Sequence, residues 1–216
     1  VGLILGTLTL SGLGFKFSGA VVELAATVAH AVNAIDPFNL FTDRGGQVFF
    51  GLLFVGIACI LMGTGVPTTP TYIILASIAA PALGTLGVPL IATHFFVFYY
   101  GVLADVTPPV ALAAYAAAGI AGSEPMRTGL TAFRLSMGKA LVPFMFVYTP
   151  ALLFIDFTWS AFLSGAFCGL VGITALSAAY IGYFRRTLGR PEKVALTIAG
   201  LVLVFNQFWP NIVGLT

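Results

Sequence analysis

Long uncharged apolar segments, interrupted by proline and glycine, constrain the fold of this chain more than any other feature. No Asp, Glu, Lys or Arg lies between Gly45 and Ala104. Charged residues make up 7% of the sequence and hydrophobic residues 59%, whereas soluble domains carry roughly 25% charged residues. Such a chain cannot cover a water-facing surface, and lipid is the solvent that removes this need. The sequence therefore predicts an all-α integral membrane protein.

The charge balance and the cysteines exclude several classes of function. The net charge is only +2, and no basic stripe is interleaved with aromatic residues, so we expect no nucleic-acid partner. Cys59 and Cys168 both lie inside apolar runs, where free cysteines behave as small buried hydrophobic residues. Their spacing predicts neither a disulfide framework nor a metal site.

The N-terminal part of the chain begins on an uncharged run from Val1 to Phe15, with no Met and no basic region before it. This pattern is not that of a signal peptide. We expect instead a helix entered partway, and hence a piece of a longer protein. Ser18 to Ile35 predicts a second short helix, and Asp36 to Gly46 predicts a polar loop.

Two apolar arms, 47–62 and 71–86, flank the sequence GTGVPTTP at 63–70. At a rise of about 1.5 Å per residue each arm is about 24 Å long. A hydrocarbon core of about 30 Å needs about 20 residues, so neither arm is expected to cross alone. The pattern predicts a re-entrant helical hairpin over 47–86, with its tip near the middle of the bilayer.

A second interruption, DVTPP at 105–109, separates the apolar runs 88–104 and 110–122. The second of these runs reaches only about 20 Å. The segment 88–122 is therefore either a second hairpin or one crossing helix with an unwound middle. We expect the broken crossing helix, and the hairpin stays open as the alternative.

The C-terminal part of the chain alternates charged and apolar segments. Residues 123–139 carry basic side chains and can lie along the membrane interface. Further spans are expected over 140–155, 159–184 and 194–216, with a charged loop at 185–193. Two spans separate the basic clusters around 127–139 and 185–193, so both fall on one face, which the positive-inside rule makes cytoplasmic. If 88–122 crosses the membrane once, the hairpin 47–86 opens outward.

The two interruptions carry the candidate chemistry, because irregular backbone at membrane depth is tolerated only inside protein or beside a wet cavity. Discontinuous helices of this kind mark the substrate and ion sites of transporters. At 63–70, glycine allows unusual dihedral angles, and proline frees upstream carbonyls. Together with the threonine hydroxyls, these oxygens suit a hard cation such as sodium. A plain kink at proline and glycine is the alternative.

The DVTPP interruption adds a single carboxylate. Pro108 and Pro109 remove two backbone donors, and Thr107 supplies a hydroxyl. An ionisable residue at membrane depth is a functional hypothesis by default. Asp105 can act as a cation ligand, as a proton carrier, or as the N-cap of the following helix.

Other polar residues are weaker candidates. His94 lies in an aromatic run and is interpreted as a packed, hydrogen-bonded histidine rather than a ligand. Glu23 and His30 are seven residues apart on one helix face. We interpret this pair as a polar seam rather than as a proton relay.

Three stretches of the sequence resemble a known family. GTGVPTTPTYIILASIAAPAL (63–83), HFFVFYYGVLADVTPPVALAAYAAAGIAG (94–122) and PMRTG (125–129) are similar to the large permease of tripartite ATP-independent periplasmic (TRAP) transporters. The similarity is greatest to the fused-permease branch that works with TAXI-type binding proteins. It covers about residues 1–155, and TPPV is its most specific part. The last two apolar segments resemble the C-terminal extension of that branch.

The resemblance implies an elevator-type secondary transporter driven by a sodium gradient in the cell inner membrane. Residues 1–155 would form the second of two inverted repeats, with the hairpin 47–86 and the broken helix 88–122. Residues 156–216 would form a C-terminal transmembrane extension. A periplasmic substrate-binding protein would deliver an organic acid. The remaining permease repeat and the small membrane subunit would be further partners.

Carried over to this sequence, the resemblance also implies a site. The expected sodium ligands are backbone and hydroxyl oxygens of Gly63, Gly65, Thr68, Thr69 and Thr107. The residues expected to serve the substrate or the mechanism are Pro67, Asp105, Pro108 and Pro109.

Two other classes of function are alternatives to a transporter. An intramembrane aspartyl hydrolase needs two neighbouring carboxylates, and only Asp105 is placed at depth, so the chain is not expected to be an enzyme. An ion channel or a passive membrane assembly subunit stays as the alternative, since channels also use re-entrant loops. The sequence does not predict which organic acid is carried.

Overall fold

The structure is a computed structural model that describes residues 2–35 and 43–205. These residues form two compact units, and each is described by itself. The first unit ends at Asp105 and the second begins at Val106. The expected division into a repeat (1–155) and an extension (156–216) comes from the family resemblance and not from packing, and it stays a prediction.

The described residues of the first unit form five helices: α1 (Gly2–Leu10), α2 (Leu13–Ile35), α3 (Asp43–Gly63), α4 (Thr68–Thr85) and α5 (Leu90–Ala104). Buried residues of α2 recur every three or four positions at Ser18, Val21, Ala25 and Ala29, the spacing of one helix face. Their small side chains let α2 pack closely on its neighbours.

Helices α3 and α4 form an antiparallel hairpin. Near its open end Gly51 lies beside Leu86, and at its closed end Gly63 lies beside Thr71. Helix α5 then runs back alongside α3. The two helices are close at Gly56, where a Cβ would stand 3.1 Å from the ring of Tyr100. The chain thus forms a helical hairpin here, and α5 ends at the level of its tip. The re-entrant position of this hairpin, with its tip near the middle of the bilayer, stays a prediction.

Two boundaries in this unit differ from the sequence-based expectation. Helix α3 begins at Asp43 rather than after Gly46: Gly45 and Gly46 are buried against neighbouring residues, and Asp43 in the first turn is favourable at a helix N-terminus. With this extension α3 is long and apolar enough to cross a membrane, so the expectation that neither arm can cross alone is wrong for α3. Helix α2 begins at Leu13 rather than Ser18 and is likewise long enough.

The second unit contains α6 (Leu112–Ala121), α7 (Pro125–Ser136), α8 (Val142–Tyr148), α9 (Trp159–Ile181), α10 (Arg190–Phe205) and the short strands β1 (Tyr183–Phe184) and β2 (Arg186–Thr187). The strands pair antiparallel, with Phe184 opposite Arg186. One 3₁₀ helix, Met137–Leu141, joins α7 to α8, and another, Pro150–Leu153, follows α8.

The expectation that residues 123–139 lie along the membrane interface stays a prediction. Helix α7 continues through the 3₁₀ helix into α8, and Pro125–Tyr148 as a whole is long and apolar enough to cross a membrane. Pro143 does not interrupt it, because this proline lies in the first turn of α8, where its missing N–H is tolerated.

Among the described residues, four helical segments reach the length and hydropathy of a membrane span: 13–34, 43–63, 125–148 and 159–181. Helices dominate both units, and the only strands in the described ranges are the two-residue β1 and β2. The prediction of an all-α membrane protein is confirmed.

Candidate functional site

The tip of the α3–α4 hairpin is held together by its own threonines. The hydroxyl of Thr64 donates to the carbonyl of Leu61 at 2.9 Å. The hydroxyl of Thr71, which is 2% exposed, donates to the carbonyl of Val66 at 3.0 Å. These bonds pair two backbone carbonyls that the turn removes from helical pairing. The tip is thus a defined loop rather than a simple kink in one helix.

Other polar groups of the tip are uncommitted. The hydroxyls of Thr68 and Thr69 make no hydrogen bond within the described part of the chain, and Thr69 is exposed. Both residues lie in the first turn of α4, so their N–H groups have no intrahelical acceptor. Gly65 has a φ of 81°, a left-handed conformation that favours glycine. The tip therefore offers oxygens to a cation and backbone donors to an anion.

Small residues bring the end of α5 against this tip. A Cβ placed on Gly63 would stand 2.8 Å from the Cβ of Ala104 and 3.1 Å from Cγ2 of Thr71. A Cβ on Gly101 would stand 3.4 Å from the same Thr71 methyl group. We call this contact between Gly63, Thr71, Gly101 and Ala104 the neck of the hairpin. It places the residue that follows Ala104 at the tip end of the first unit.

Asp105 is the residue that follows Ala104 and the neck. It is half-buried, and its N–H donates to the carbonyl of Val102 at 3.3 Å. Its carboxylate makes no hydrogen bond or ion pair with any described residue. The alternative that Asp105 caps the following helix is wrong, because Ala111 occupies the N-cap position of α6 and a capping side chain reaches only the next two or three N–H groups.

The rest of the second interruption, Val106–Pro109, belongs to the second unit. The N–H of Ala111 donates to the carbonyl of Thr107 at 3.1 Å. The hydroxyl of Tyr115 donates to the carbonyl of Pro109 at 2.5 Å. The ring of Tyr115 lies against Gly129 of α7, with its Cε1 atom 2.9 Å from where a Cβ of Gly129 would be. Tyr115 thus ties this loop to α6 and α7.

The structure brings some of the predicted site residues together at the hairpin tip of the first unit and places the others in the second unit. Gly63, Gly65, Pro67, Thr68 and Thr69 share the tip, and Asp105 follows the neck. The second unit contains Thr107, Pro108 and Pro109. Because the segment 88–122 is divided between the two units, its form as a broken crossing helix or as a second hairpin stays a prediction.

Sequence reasoning did not single out the contacts made by Thr71 and Tyr115. Thr71 is the only threonine of the GTGVPTTPT stretch that is fully buried, and neither burial nor its Val66 bond has a sequence signature. Tyr115 stands six residues after Pro109. A tyrosine shortly after a proline pair was the one sequence feature that could have indicated this hydrogen bond.

The weaker candidates have structural partners. Nδ1 of His94 lies 3.0 Å from the hydroxyl of Tyr72, so the interpretation as a packed, hydrogen-bonded histidine is confirmed. His30 does not pair with Glu23: its Nδ1 lies 3.6 Å from a carboxylate oxygen of Asp43, to which Asn33 also donates at 2.7 Å. The polar seam thus joins α2 to α3 rather than running along α2.

A comparison with protein families bears directly on these two interruptions. The sequence model of the tripartite ATP-independent periplasmic transporter, DctM component, matches residues 1–161, which include both. The chain belongs to this family. No curated protein and no solved structure matched it.

Membership in the DctM family fixes the class of the protein. This family consists of transporter permeases and not of enzymes. A DctM component works with a periplasmic binding protein and with other membrane components. Together with the four candidate spans, this makes the chain a multi-pass membrane protein of the TRAP class.

Proposed function

We propose that this DctM chain supplies the second inverted repeat of a sodium-driven, elevator-type permease, and that a TAXI-type periplasmic protein delivers an organic acid to it. The observation that carries the proposal is the neck. Gly63, Thr71 and Ala104 hold an oxygen-rich hairpin tip beside the end of the helix that precedes the second interruption. Discontinuous helices that meet in this way form the ion and substrate sites of secondary transporters.

Sodium is the ion that this chemistry favours. The tip offers carbonyl oxygens and the uncommitted hydroxyls of Thr68 and Thr69, and hard cations take oxygen ligands. Gly63 and Gly65 contribute carbonyl oxygens at the positions where helical pairing stops. Thr107, beside Pro108 and Pro109, would add a hydroxyl oxygen from the second interruption.

The same tip suits an anionic substrate. Helix α4 begins at Thr68 after Pro67, and its first N–H groups carry the positive end of the helix dipole. A carboxylate is stabilised at such a helix start. Sodium bound in the same cavity would offset the charge of the acid, so each ligand would favour binding of the other.

The proposed setting is the cell inner membrane, with the remaining permease repeat and the small membrane subunit as neighbours. The basic residues at 127–139 and at 185–193 mark the cytoplasmic side by the positive-inside rule. If 88–122 crosses the membrane once, the open end of the α3–α4 hairpin faces the periplasm, where the binding protein would arrive.

Transport by the complete system tests the proposal. The full permease and its binding protein are reconstituted in liposomes, and uptake of labelled dicarboxylates, sugar acids and amino acids is followed under an inward sodium gradient. We expect accumulation of one of these acids above its outside concentration with sodium and not with potassium. Uptake that stops at equal concentrations would favour the channel alternative. Uptake driven equally by a proton gradient in sodium-free buffer would remove the sodium assignment.

A further inference from the structure

Helices α9 and α10 lie almost entirely beyond the matched residues 1–161, so the transport site does not account for them. They approach each other through glycine. A Cβ placed on Gly200 would stand 2.9 Å from the carbonyl oxygen of Gly172, and one placed on Gly172 would stand 3.0 Å from the carbonyl oxygen of Gly200. Because the two backbones are in contact, the surface that the pair presents is fixed.

Beside this contact the two helices and the turn between them enclose an apolar groove of about 300 Å³. Its lining includes Leu170, Val171, Ala175, Ala178, Phe184 and Leu196. The remaining lining residue, Thr174, donates its hydroxyl to the carbonyl of Leu170 at 2.6 Å. Among the described residues, the lining thus holds no uncommitted hydrogen-bonding side chain, and an apolar occupant fits it.

One end of this groove is basic. One turn beyond Ala178, the Nζ atom of Lys193 lies 2.6 Å from where a Cβ of Gly182 would be. Arg185 directly follows Phe184 of the lining and is exposed. Neither cation has an ion-pair partner among the described residues.

The other charged groups at this end leave a positive excess. Arg186 is paired with Glu192, with Nη2 and Oε1 2.5 Å apart. Arg190 is exposed and has no acidic partner within the described ranges. Glu192 is the only acidic residue in the 183–193 segment.

We propose that the α9–α10 groove binds an anionic phospholipid, with an acyl chain along Leu170–Ala178 and the phosphate facing Lys193 and Arg185. That stretch of α9 is about 12 Å long, which is enough for part of one chain. Basic pockets between transmembrane helices on the cytoplasmic side bind anionic headgroups. A zwitterionic lipid would leave the positive excess at the groove end unbalanced.

The charge part of the proposal is tested on the full permease, delipidated in detergent and titrated with phosphatidylglycerol or with phosphatidylcholine of the same acyl chains. Bound lipid is counted by native mass spectrometry. We expect phosphatidylglycerol to bind more tightly, and the double variant Arg185→Gln/Lys193→Gln to weaken its binding about 30-fold. The matched control Lys16→Gln/Arg134→Gln removes two exposed basic residues elsewhere and should bind as the unaltered protein does. Equal affinity for the two lipids would overturn the proposal.

The groove part is tested with Ala175→Phe, which fills the apolar lining, against Leu163→Phe on an exposed position of α9. Ala175→Phe should lose the tightly bound phosphatidylglycerol while Leu163→Phe keeps it. Ala175→Leu replaces Ala175→Phe if circular dichroism shows that the larger residue prevents folding. Unchanged lipid binding in the groove-filled variant, or complete displacement of the lipid by glycerol phosphate, would show that only the headgroup is held and would overturn the proposal. None of these readouts requires transport, so a failed uptake assay leaves this test intact.

Discussion

Gly63, the last residue of α3, lies against Ala104, the last residue of α5, so closely that a Cβ on Gly63 would stand 2.8 Å from the Cβ of Ala104. The two residues terminate the two helices that precede the two interruptions of the sequence. Their contact leaves no room for a larger side chain at either position. The hairpin tip and the start of the DVTPP segment are thereby brought to the same end of the first unit.

The first prediction concerns this contact. Gly63→Ala should lower the stability of the full permease by about 1–3 kcal/mol, because the new methyl group meets the Cβ of Ala104, which cannot rotate away. It also meets the methyl group of Thr71, whose hydroxyl is held by the carbonyl of Val66. The thermal unfolding midpoint in detergent measures the effect. Gly84→Ala in α4 is the matched control, since a Cβ there meets nothing within 4 Å. Equal midpoints for the two variants would contradict a tight neck.

The second prediction concerns the hydrogen bond inside the tip. Thr71→Val keeps the shape of the side chain but removes the donor to the carbonyl of Val66, a loss of about 1 kcal/mol. Hydrogen exchange of the amides at 63–71 should become about fivefold faster. Thr27→Val removes a comparable bond to the carbonyl of Glu23 on an exposed face of α2 and should leave the tip unchanged. Slow exchange at the tip in Thr71→Val would mean that another contact holds the loop.

The third prediction concerns the proposed sodium ligands. Thr68→Ala and Thr107→Ala should each raise the sodium concentration for half-maximal uptake about 10-fold, because each removes one oxygen from a charged partner. Initial uptake rates at graded sodium concentrations give this value, with Thr27→Ala as the control. Unchanged sodium dependence in both variants would remove these two residues from the site.

The fourth prediction concerns the loop of the second unit. Tyr115→Phe keeps the ring against Gly129 but loses the bond to the carbonyl of Pro109, at a cost of about 1 kcal/mol. The N–H of Ala111, which donates to Thr107, should then exchange faster. Tyr180→Phe, at a side chain that is 55% exposed, is expected to have no such effect. Faster exchange at Ala111 in both variants would point to a general loosening of the unit.

The sequence predicted the hairpin because its evidence is local. Proline and glycine stop helices wherever they stand in a chain, so GTGVPTTP placed a turn at 63–70 without knowledge of the tertiary structure. The start of α3 was missed for a different reason. The residues Asp43 to Gly46 are polar or flexible in isolation, yet the buried Gly45 and Gly46 join the helix because it packs on its neighbours.

Asp105 marks the other limit of sequence reasoning. An acid before a proline-interrupted turn is a reasonable N-cap by pattern, but the turn is long enough to give that position to Ala111. Which role remains for the carboxylate depends on the groups that surround it in space, and a linear pattern does not contain them.

The amino-acid sequence was enough to predict a helical membrane protein and the places where its helices break. Those properties follow from hydropathy and from backbone restrictions that act over a few residues. The sequence did not predict the contacts of Gly63 with Ala104, of Tyr115 with Pro109 or of Gly172 with Gly200, which depend on the packing of the helices. Such contacts join residues far apart in the chain, and their closeness depends on how whole helices pack.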